Sequence, residues 1–391
     1  MTLRVFVCFL LAACLTQRVS ATVSQLKSDV LYQILPKNAY DVFVPPENNT
    51  GDVIDIETSI HVLDVENINE KDREVTLLMY FRQSWKDERL KYAKDARFDY
   101  VTLNDDGAIW TPDSFFVGMR KGHGFDTVRP NVFIRISPDG RVLFSKKLAV
   151  TVGCPMDLTR FPFDRQHCAL RIESYGYTTA SLVMKWKKYS TFTVSDKVIV
   201  RDFQLDKTVA YSGVTHLTSG SYSYLGVDLY FTRYLNYYVH QVFLPSMVMV
   251  ALSRLPFWLT KQKLIAKLLL GLAILITYTV TVFKFHSHHL KTTHVTSMHY
   301  FSWMCLGFLA SSLLETVLIH ALDGDNTNKV EDGNVKSSKR KAYLILTASR
   351  YVVPAMFALM CVVYFGTGGF RAGDVVEIVR SNATEIIINK S

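Results

Sequence analysis

Cys154-Pro155-Met156-Asp157-Leu158-Thr159-Arg160-Phe161-Pro162-Phe163-Asp164-Arg165-Gln166-His167-Cys168 is the stretch on which the reading of this chain turns. Two cysteines enclose thirteen residues. Proline fixes its own φ and drives the preceding residue out of the helical region, so Phe161-Pro162-Phe163-Asp164 is expected to turn. A disulfide across so short a loop removes chain entropy worth about 3 kcal/mol in the loop-closure picture. As a bare cysteine pair, this is a structural staple in a secreted β domain.

A length of 391 residues suggests about two domains. Arg4 precedes an apolar run from Val5 to Leu15, and Val19-Ser20-Ala21 offers small residues for cleavage. Residues 1–21 therefore read as a secretory signal peptide, too short in its apolar part to span a membrane. Its removal discards Cys8 and Cys14 and leaves Cys154 and Cys168 where a disulfide is permitted. Cys305 and Cys361 fall in later apolar runs and read as packing residues. Residues 22–233 are strand-like. Alternation is visible in Glu74–Phe81, Val132–Ile136 and Val142–Val152, with the turn Ser137-Pro138-Asp139-Gly140 joining the last two. Repeated short strands argue an all-β, immunoglobulin-like sandwich of about ten strands. Asn48 heads a glycosylation sequon.

Beyond Arg233 the chain becomes apolar. Tyr237–Trp258, Leu264–Phe285, Tyr300–Ala321 and Ala342–Phe365 are four runs of spanning length, which assigns residues 234–365 to a four-helix transmembrane bundle. Lys261, Lys263 and Lys267 follow the first run, and Lys329, Lys336, Lys339, Arg340 and Lys341 fall in or just after the loop 323–340. Basic loops mark the cytoplasmic side, so the β domain and the tail 366–391 are expected outside a plasma membrane; Asn382 and Asn389 are sequons in that tail. Lys284 and Lys291 on the outer side count weakly against this. The formal net charge is +9, and no Asp or Glu occurs between Asp228 and Glu315. An electropositive membrane segment favours anions.

The cysteine-bounded loop, with Asp157 and its Phe-Pro-aromatic-Asp turn, resembles the signature loop of the pentameric Cys-loop receptors. Met79–Leu90 resembles a ligand-binding strand of the anion-selective GABA, glycine and glutamate branch almost letter for letter. Trp110-Thr111-Pro112-Asp113-Ser114-Phe115-Phe116, Glu173-Ser174-Tyr175-Gly176-Tyr177-Thr178-Thr179 and Thr218-Ser219-Gly220-Ser221-Tyr222 are similar to three further binding loops. Arg233–Tyr238, Pro245 and Ser349–Pro354 match the starts of the first and fourth membrane helices. The resemblance implies a pentameric assembly around a central pore lined by the second helix, with agonist between subunits and Asp164 and Arg233 coupling binding to opening. It implies no cofactor.

The chemistry of the matched residues fits. Phe115, Tyr175 and Tyr222 offer aromatic faces to a cation, worth roughly 2 kcal/mol when desolvated. Glu173 is a carboxylate for an ammonium group, with Ser174, Thr218 and Ser219 as hydrogen-bonding neighbours. Across the interface Arg82 presents a fork suited to a carboxylate, beside Tyr80, while Arg89 reads as a rim charge. Together these describe a zwitterionic small-molecule agonist, an amino acid, and Glu173 tilts the choice toward GABA or glycine. Taken singly, the aromatics also fit a sandwich core and Arg82 a solvated strand.

In the second helix Ala266 stands where cation-selective relatives carry glutamate, and Lys267 would ring the inner mouth and favour chloride. Leu269, Ala273, Ile276 and Val280 share one face, apolar where relatives carry threonines, a face that gates by dewetting. A non-conducting or accessory subunit, or a channel gated by an amine, protons or zinc, is the alternative reading. His286-Ser287-His288-His289-Leu290-Lys291-Thr292-Thr293-His294 reads as a linker lacking the proline of relatives. His286, His288 and His289 are weak metal candidates, otherwise a solvated cluster. An ectoenzyme finds no nucleophile elbow, zincin or Walker motif.

Overall fold

Strict alternation in one strand fixes the first domain. In β2 (Glu74–Lys86), Val75, Leu77, Met79, Phe81, Gln83 and Trp85 are buried while Tyr80, Arg82 and Ser84 between them are part-exposed. A period of two puts these sets on opposite faces of the sheet. The computed structural model describes residues 23–36, 40–46, 53–258, 264–289, 294–324, 333–368 and 384–388, with backbone alone at 288–289, 323–324, 333–339 and 384–388. The signal peptide, the sequons at Asn48, Asn382 and Asn389, and residues 325–332 of the polar loop lie outside the described residues.

β2 pairs with β1 (Ile54–Asn69) and β7 (Arg141–Gly153) at the centre of the first sheet. β6 (Val132–Ile136) and then β3 (Val101–Leu103) extend it beyond β7, and β5 (Met119–Gly124) also pairs with β7. β9 (Leu182–Trp186) and β10 (Phe192–Val194) run parallel to β1. The second sheet has the order β13 (Thr384–Ile388), β11 (Phe203–Leu217), β12 (Gly220–Arg233), β8 (Arg165–Ser174) and β4 (Ser114–Val117). Core side chains such as Ile60, Leu77, Ile134, Leu170, Leu225 and Val227 fill the space between the sheets. At one end Trp85 and Trp110 meet edge to face at 5.7 Å. The hairpin turn between β6 and β7 closes with Gly140 at φ 80°, where an added Cβ would lie 2.5 Å from the Asp87 carbonyl oxygen.

The expected sandwich is present, with twelve strands and β13 among the described residues. A helix precedes them: in α1 (residues 23–34) Val23, Leu26, Val30 and Ile34 pack on the core at helical spacing, a pattern that a search for alternation passes over.

The second domain is helical: α2 (residues 236–252), α3 (Leu264–His289), α4 (Ser297–Gly324) and α5 (residues 333–366). Among the described residues three helices are long and apolar enough to cross a membrane, over Leu264–Ser287, Ser297–Leu322 and Arg340–Gly366. α2 is shorter than the expected run to Trp258. It ends at Leu252, and Leu255–Phe257 forms a separate tight turn around Pro256, which cannot continue a helical ladder. Wide π turns at Val239–Phe243 and Ala348–Val352 precede Pro245 and Pro354, whose missing N–H groups leave the preceding helical turn without a donor. The histidine linker is corrected too. Without a proline to stop it, α3 continues through His286, Ser287, His288 and His289. The polar loop 323–340 is likewise helical from Gly333, where α5 begins.

Gly271 marks a close approach of α3 to α4, since a Cβ there would lie 2.6 Å from the Leu313 side chain. Phe243, Phe301 and Tyr364 from α2, α4 and α5 stack within 4.8–6.0 Å of one another in the bundle core.

Candidate functional site

On β2 the part-exposed face carries Tyr80 and Arg82 side by side. The Arg82 guanidinium lies 5.2 Å over the Tyr80 ring, which stacks in turn on His61 at 6.4 Å. Among the described residues Arg82 has no acidic partner. Its guanidinium fork lies over an aromatic face.

The other set of expected binding residues lies on the second sheet. Phe115 of β4 is paired with Glu173 of β8, and Glu173 with Tyr224 of β12. Their strand neighbours Phe116 and Ile172 point into the core, so this row lies on the outer face of its sheet. Tyr80 and Arg82 lie on the outer face of the other sheet. Among the described residues the two sets thus lie on different sheets, facing away from each other.

Phe115 and Tyr175 meet edge to face at 5.6 Å, and Tyr175 is 78% exposed. Tyr222 is nearly buried and its hydroxyl donates to Ser219 Oγ at 3.1 Å. Thr218 and Ser219 are exposed at the tip of the β11–β12 hairpin. Gly220 closes that tip at φ 143°, against Thr178.

Two expected ligand groups are already engaged. Glu173 is not a free carboxylate: Arg171 Nε sits 2.7 Å from it, and Thr215 Oγ1 donates to it at 3.2 Å. Arg171 also donates to Thr215 and lies 3.7 Å over the Tyr224 ring. The tilt toward GABA or glycine that Glu173 suggested therefore loses its support. Ser174 donates to Asp113 Oδ1 at 2.6 Å, and Asp113 Oδ2 accepts the Gly176 amide at 2.5 Å, a clamp that fixes the loop bearing Tyr175. Arg171, Thr215 and Tyr224 were missed in the sequence. The only signal for Arg171 was its position two residues before Glu173, on the same strand face.

Beneath the sandwich, Cys154 and Cys168 form the disulfide, and the loop they close rests on the helices. Phe161 is fully buried against Tyr238 of α2 at 4.9 Å, and Phe163 packs on Phe243 and Tyr364. The Thr159 and Phe161 carbonyls accept the amides of Ser297 and Met298 at 3.0 and 3.1 Å, satisfying orphan donors of the α4 N-terminus. Asp164 and Arg233 form a buried two-point pair at 2.7 and 2.8 Å. Arg233 also donates to Glu70 and Tyr238, and it lies over Phe161 and Phe203. Burial opposes the charge on Arg233, but the hydrogen bonds and charge of Asp164, then the charge of Glu70, outweigh it and raise its pKa. Burial raises the Glu70 pKa against the pull of Arg233. Glu70, in the β1–β2 turn, is the third member that sequence reading missed.

In α3, Ala266, Leu269, Ala273, Ile276 and Val280 are exposed in the single subunit, on the side away from buried Gly271 and Tyr278. Thr277, Thr279 and Thr281 flank that stripe, with each hydroxyl bonded to a carbonyl of its own helix. Lys267, part-exposed on the first turn after Leu264, has no ion pair among the described residues. Glu315, the first acid after Asp228, is neutralised by Arg254 at 2.8 Å.

A β sandwich seated through a disulfide-closed loop on a bundle of membrane-length helices is the architecture of a ligand-gated channel subunit. The comparisons make that specific: the family model of the neurotransmitter-gated ion-channel ligand-binding domain matches residues 28–235, and that of the neurotransmitter-gated ion-channel transmembrane region matches 242–352. The chain belongs to the neurotransmitter-gated ion-channel family. It is 32% identical over 335 residues to a glutamate-gated chloride channel of Drosophila melanogaster, covering 85% of this chain and 73% of that one. It is 29% identical over 306 residues to the human gamma-aminobutyric acid receptor subunit rho-2, covering 77% and 65%. The gamma-aminobutyric acid receptor subunit beta of Caenorhabditis elegans is 29% identical over 307 residues, covering 78% and 54%. The first of these relatives is by name a chloride channel and the other two are gamma-aminobutyric acid receptor subunits.

Proposed function

We propose that this chain is a subunit of a pentameric chloride-selective channel of the plasma membrane, opened by a small zwitterionic amino acid bound between subunits. The observation that carries the reading is Arg82, a guanidinium oriented over Tyr80 with no acidic partner among the described residues. A planar guanidinium fork of this kind is suited to a carboxylate, and a neighbouring subunit packed over it would desolvate it. The aromatic edge of Phe115 and Tyr175, with Tyr222, Thr218 and Ser219 of the β11–β12 hairpin, lies on the opposite face of the sandwich. A neighbour's copy of that set would complete the site by taking the ammonium group. Because Arg171 already compensates Glu173, the ammonium is held by ring faces, and glutamate, with its second carboxylate, fits as well as GABA or glycine. Lys267, unopposed in an acid-free helix, sets the preference for anions.

One observation favours a second reading, a subunit that conducts only beside partners. The stripe Leu269, Ala273, Ile276 and Val280 carries no hydroxyl, and the flanking threonines bond inward to their own helix. Voltage-clamp recording of the chain expressed alone, during application of glutamate, GABA and glycine, tests the proposal. A current that reverses with the chloride gradient supports it. No current alone, but chloride current when a related subunit is co-expressed, supports the second reading. An agonist current blind to chloride overturns both.

A further inference from the structure

His286 and His299 were not brought together by the sequence, but the structure sets them face to face. His286 lies near the end of α3 and His299 in the first turn of α4, with ring centroids 4.5 Å apart and planes at 59°. They line a groove of about 320 Å³ together with Tyr278, Val282, Phe283 and Trp303. His286 Nδ1 is 2.9 Å from the Val282 carbonyl, which can only accept, so the proton sits on Nδ1 and the lone pair on Nε2. That Nε2 atom is shielded from solvent and has no hydrogen-bond partner. The two imidazoles do not bond to each other. A buried acceptor left unsatisfied is costly, and a bound group would relieve that cost.

We infer that His286 and His299 form a two-imidazole site for a divalent transition-metal cation of the zinc class, bridging α3 and α4. Ligating histidines characteristically donate their second ring N–H to a carbonyl or another acceptor, as His286 does to Val282. His299 has the matching option. Its Nδ1 lies 2.8 Å from Thr296 Oγ1 and 3.2 Å from the Thr296 amide. Moving the ring proton from Nε2 to Nδ1 trades the amide contact for a bond to the hydroxyl and frees Nε2 for the metal, with no net proton released. Zinc–nitrogen bonds of roughly 2 Å in tetrahedral array place two donors about 3.3 Å apart, within reach of rings at this spacing. No third His, Cys, Asp or Glu joins the pair among the described residues, so water completes the shell. Imidazole without carboxylate selects zinc, copper or nickel over magnesium or calcium. The consequence is mechanical. α4 begins on the Thr159 and Phe161 carbonyls of the disulfide-closed loop, so a metal bridge ties α3 to that same support.

The test is the melting temperature of the purified full chain in detergent, with zinc chloride or magnesium chloride added. Zinc should raise it and magnesium should not. The shift should disappear in His286→Gln and in His299→Gln, survive in His286→Cys, which keeps a zinc ligand, and survive in the double variant His288→Gln/His289→Gln. No shift in the wild type, an undiminished shift in both single glutamine variants, or loss confined to the double variant would overturn the inference. If the glutamine variants do not fold, zinc protection of His286 and His299 against carbethoxylation, mapped by peptide mass in the wild type, decides it: absence of protection refutes the site. None of these readouts needs channel current, so they stand apart from the proposed selectivity and agonist.

Discussion

Two arginines seven residues apart on one stretch of chain do opposite work. Arg82 is held by a ring and otherwise open, whereas Arg89 makes a two-point pair with the buried Asp87, lies 4.4 Å over Tyr40, and donates to the carbonyls of Asp41 and Val44. Arg89 is thus no rim charge but the tie that holds the segment before β1. Replacing Arg82 with alanine should weaken agonist potency by about 2–5 kcal/mol, the cost of losing one partner of a desolvated pair. Surface delivery should be unchanged. Replacing Arg89 should leave potency near normal in whatever reaches the surface, but reduce delivery. Uncovering Asp87 costs on the order of 2–3 kcal/mol, less than for a fully buried pair because Arg89 is part-exposed and Tyr40 still donates to Asp87. Concentration–response curves with surface labelling separate the two, and equal losses of potency would remove Arg82 as the carboxylate anchor. Arg82 was legible because its strand matches a motif. Arg89, Arg171 and Glu70 were not, because their partners are chosen by strand register and by turns that bring distant residues together.

At the scale of elements, the loop from Cys154 to Cys168 serves as the joint between sandwich and bundle. Its carbonyls complete the α4 ladder, its aromatics enter the helix core, and Asp164 meets Arg233 where β12 ends. Changing Asp164 to asparagine would leave buried Arg233 with Glu70 as its one paired carboxylate among the described residues, a loss of about 3–5 kcal/mol. Glu70→Gln should cost less, since Glu70 is part-exposed. Melting of the solubilised protein measures both, and a larger effect at Glu70 would refute the ranking. Asp157 provides a pH test. Hydrogen bonds from the Thr159 hydroxyl and amide hold its carboxyl below the usual range. A depressed acid stabilises the fold above its unfolded pKa of about 4, and that contribution is lost as pH falls through the folded value. Thr159→Val should therefore lower the melting temperature most near neutral pH, and the gap should close in acid; a gap that widens in acid contradicts this assignment. The sandwich and three long helices were readable from alternation and apolar length. The end of α2, the extension of α3 and the presence of α1 were not. Pro256, a missing linker proline and an amphipathic turn decide those locally, below the resolution of a composition profile.

Charge selectivity belongs to the whole assembly, because a ring of side chains acts on an ion only when subunits surround it. From Asp228 to Glu315 the chain has no acid between, and Glu315 is spent on Arg254, so nothing in α3 opposes Lys267. In the proposed pentamer a ring of Lys267, one from each subunit, would attract anions into a low-dielectric mouth, where charges count for more than in water. Against this, the stripe from Leu269 to Val280 offers no hydroxyl to replace the hydration shell, so on the proposed reading passage would be favoured in sign but slow in rate. These two effects are separable by mutation. Ala266→Glu adds a carboxylate beside each lysine and should move the reversal potential toward that of cations. Leu269→Thr with Ala273→Thr adds hydroxyls without charge and should raise single-channel conductance while leaving the reversal potential in place. Recording while gluconate replaces external chloride reads both at once. If wild-type reversal ignores chloride and follows sodium, Lys267 does not set selectivity. If the threonines shift reversal as much as the glutamate does, wall polarity rather than ring charge governs which ion passes.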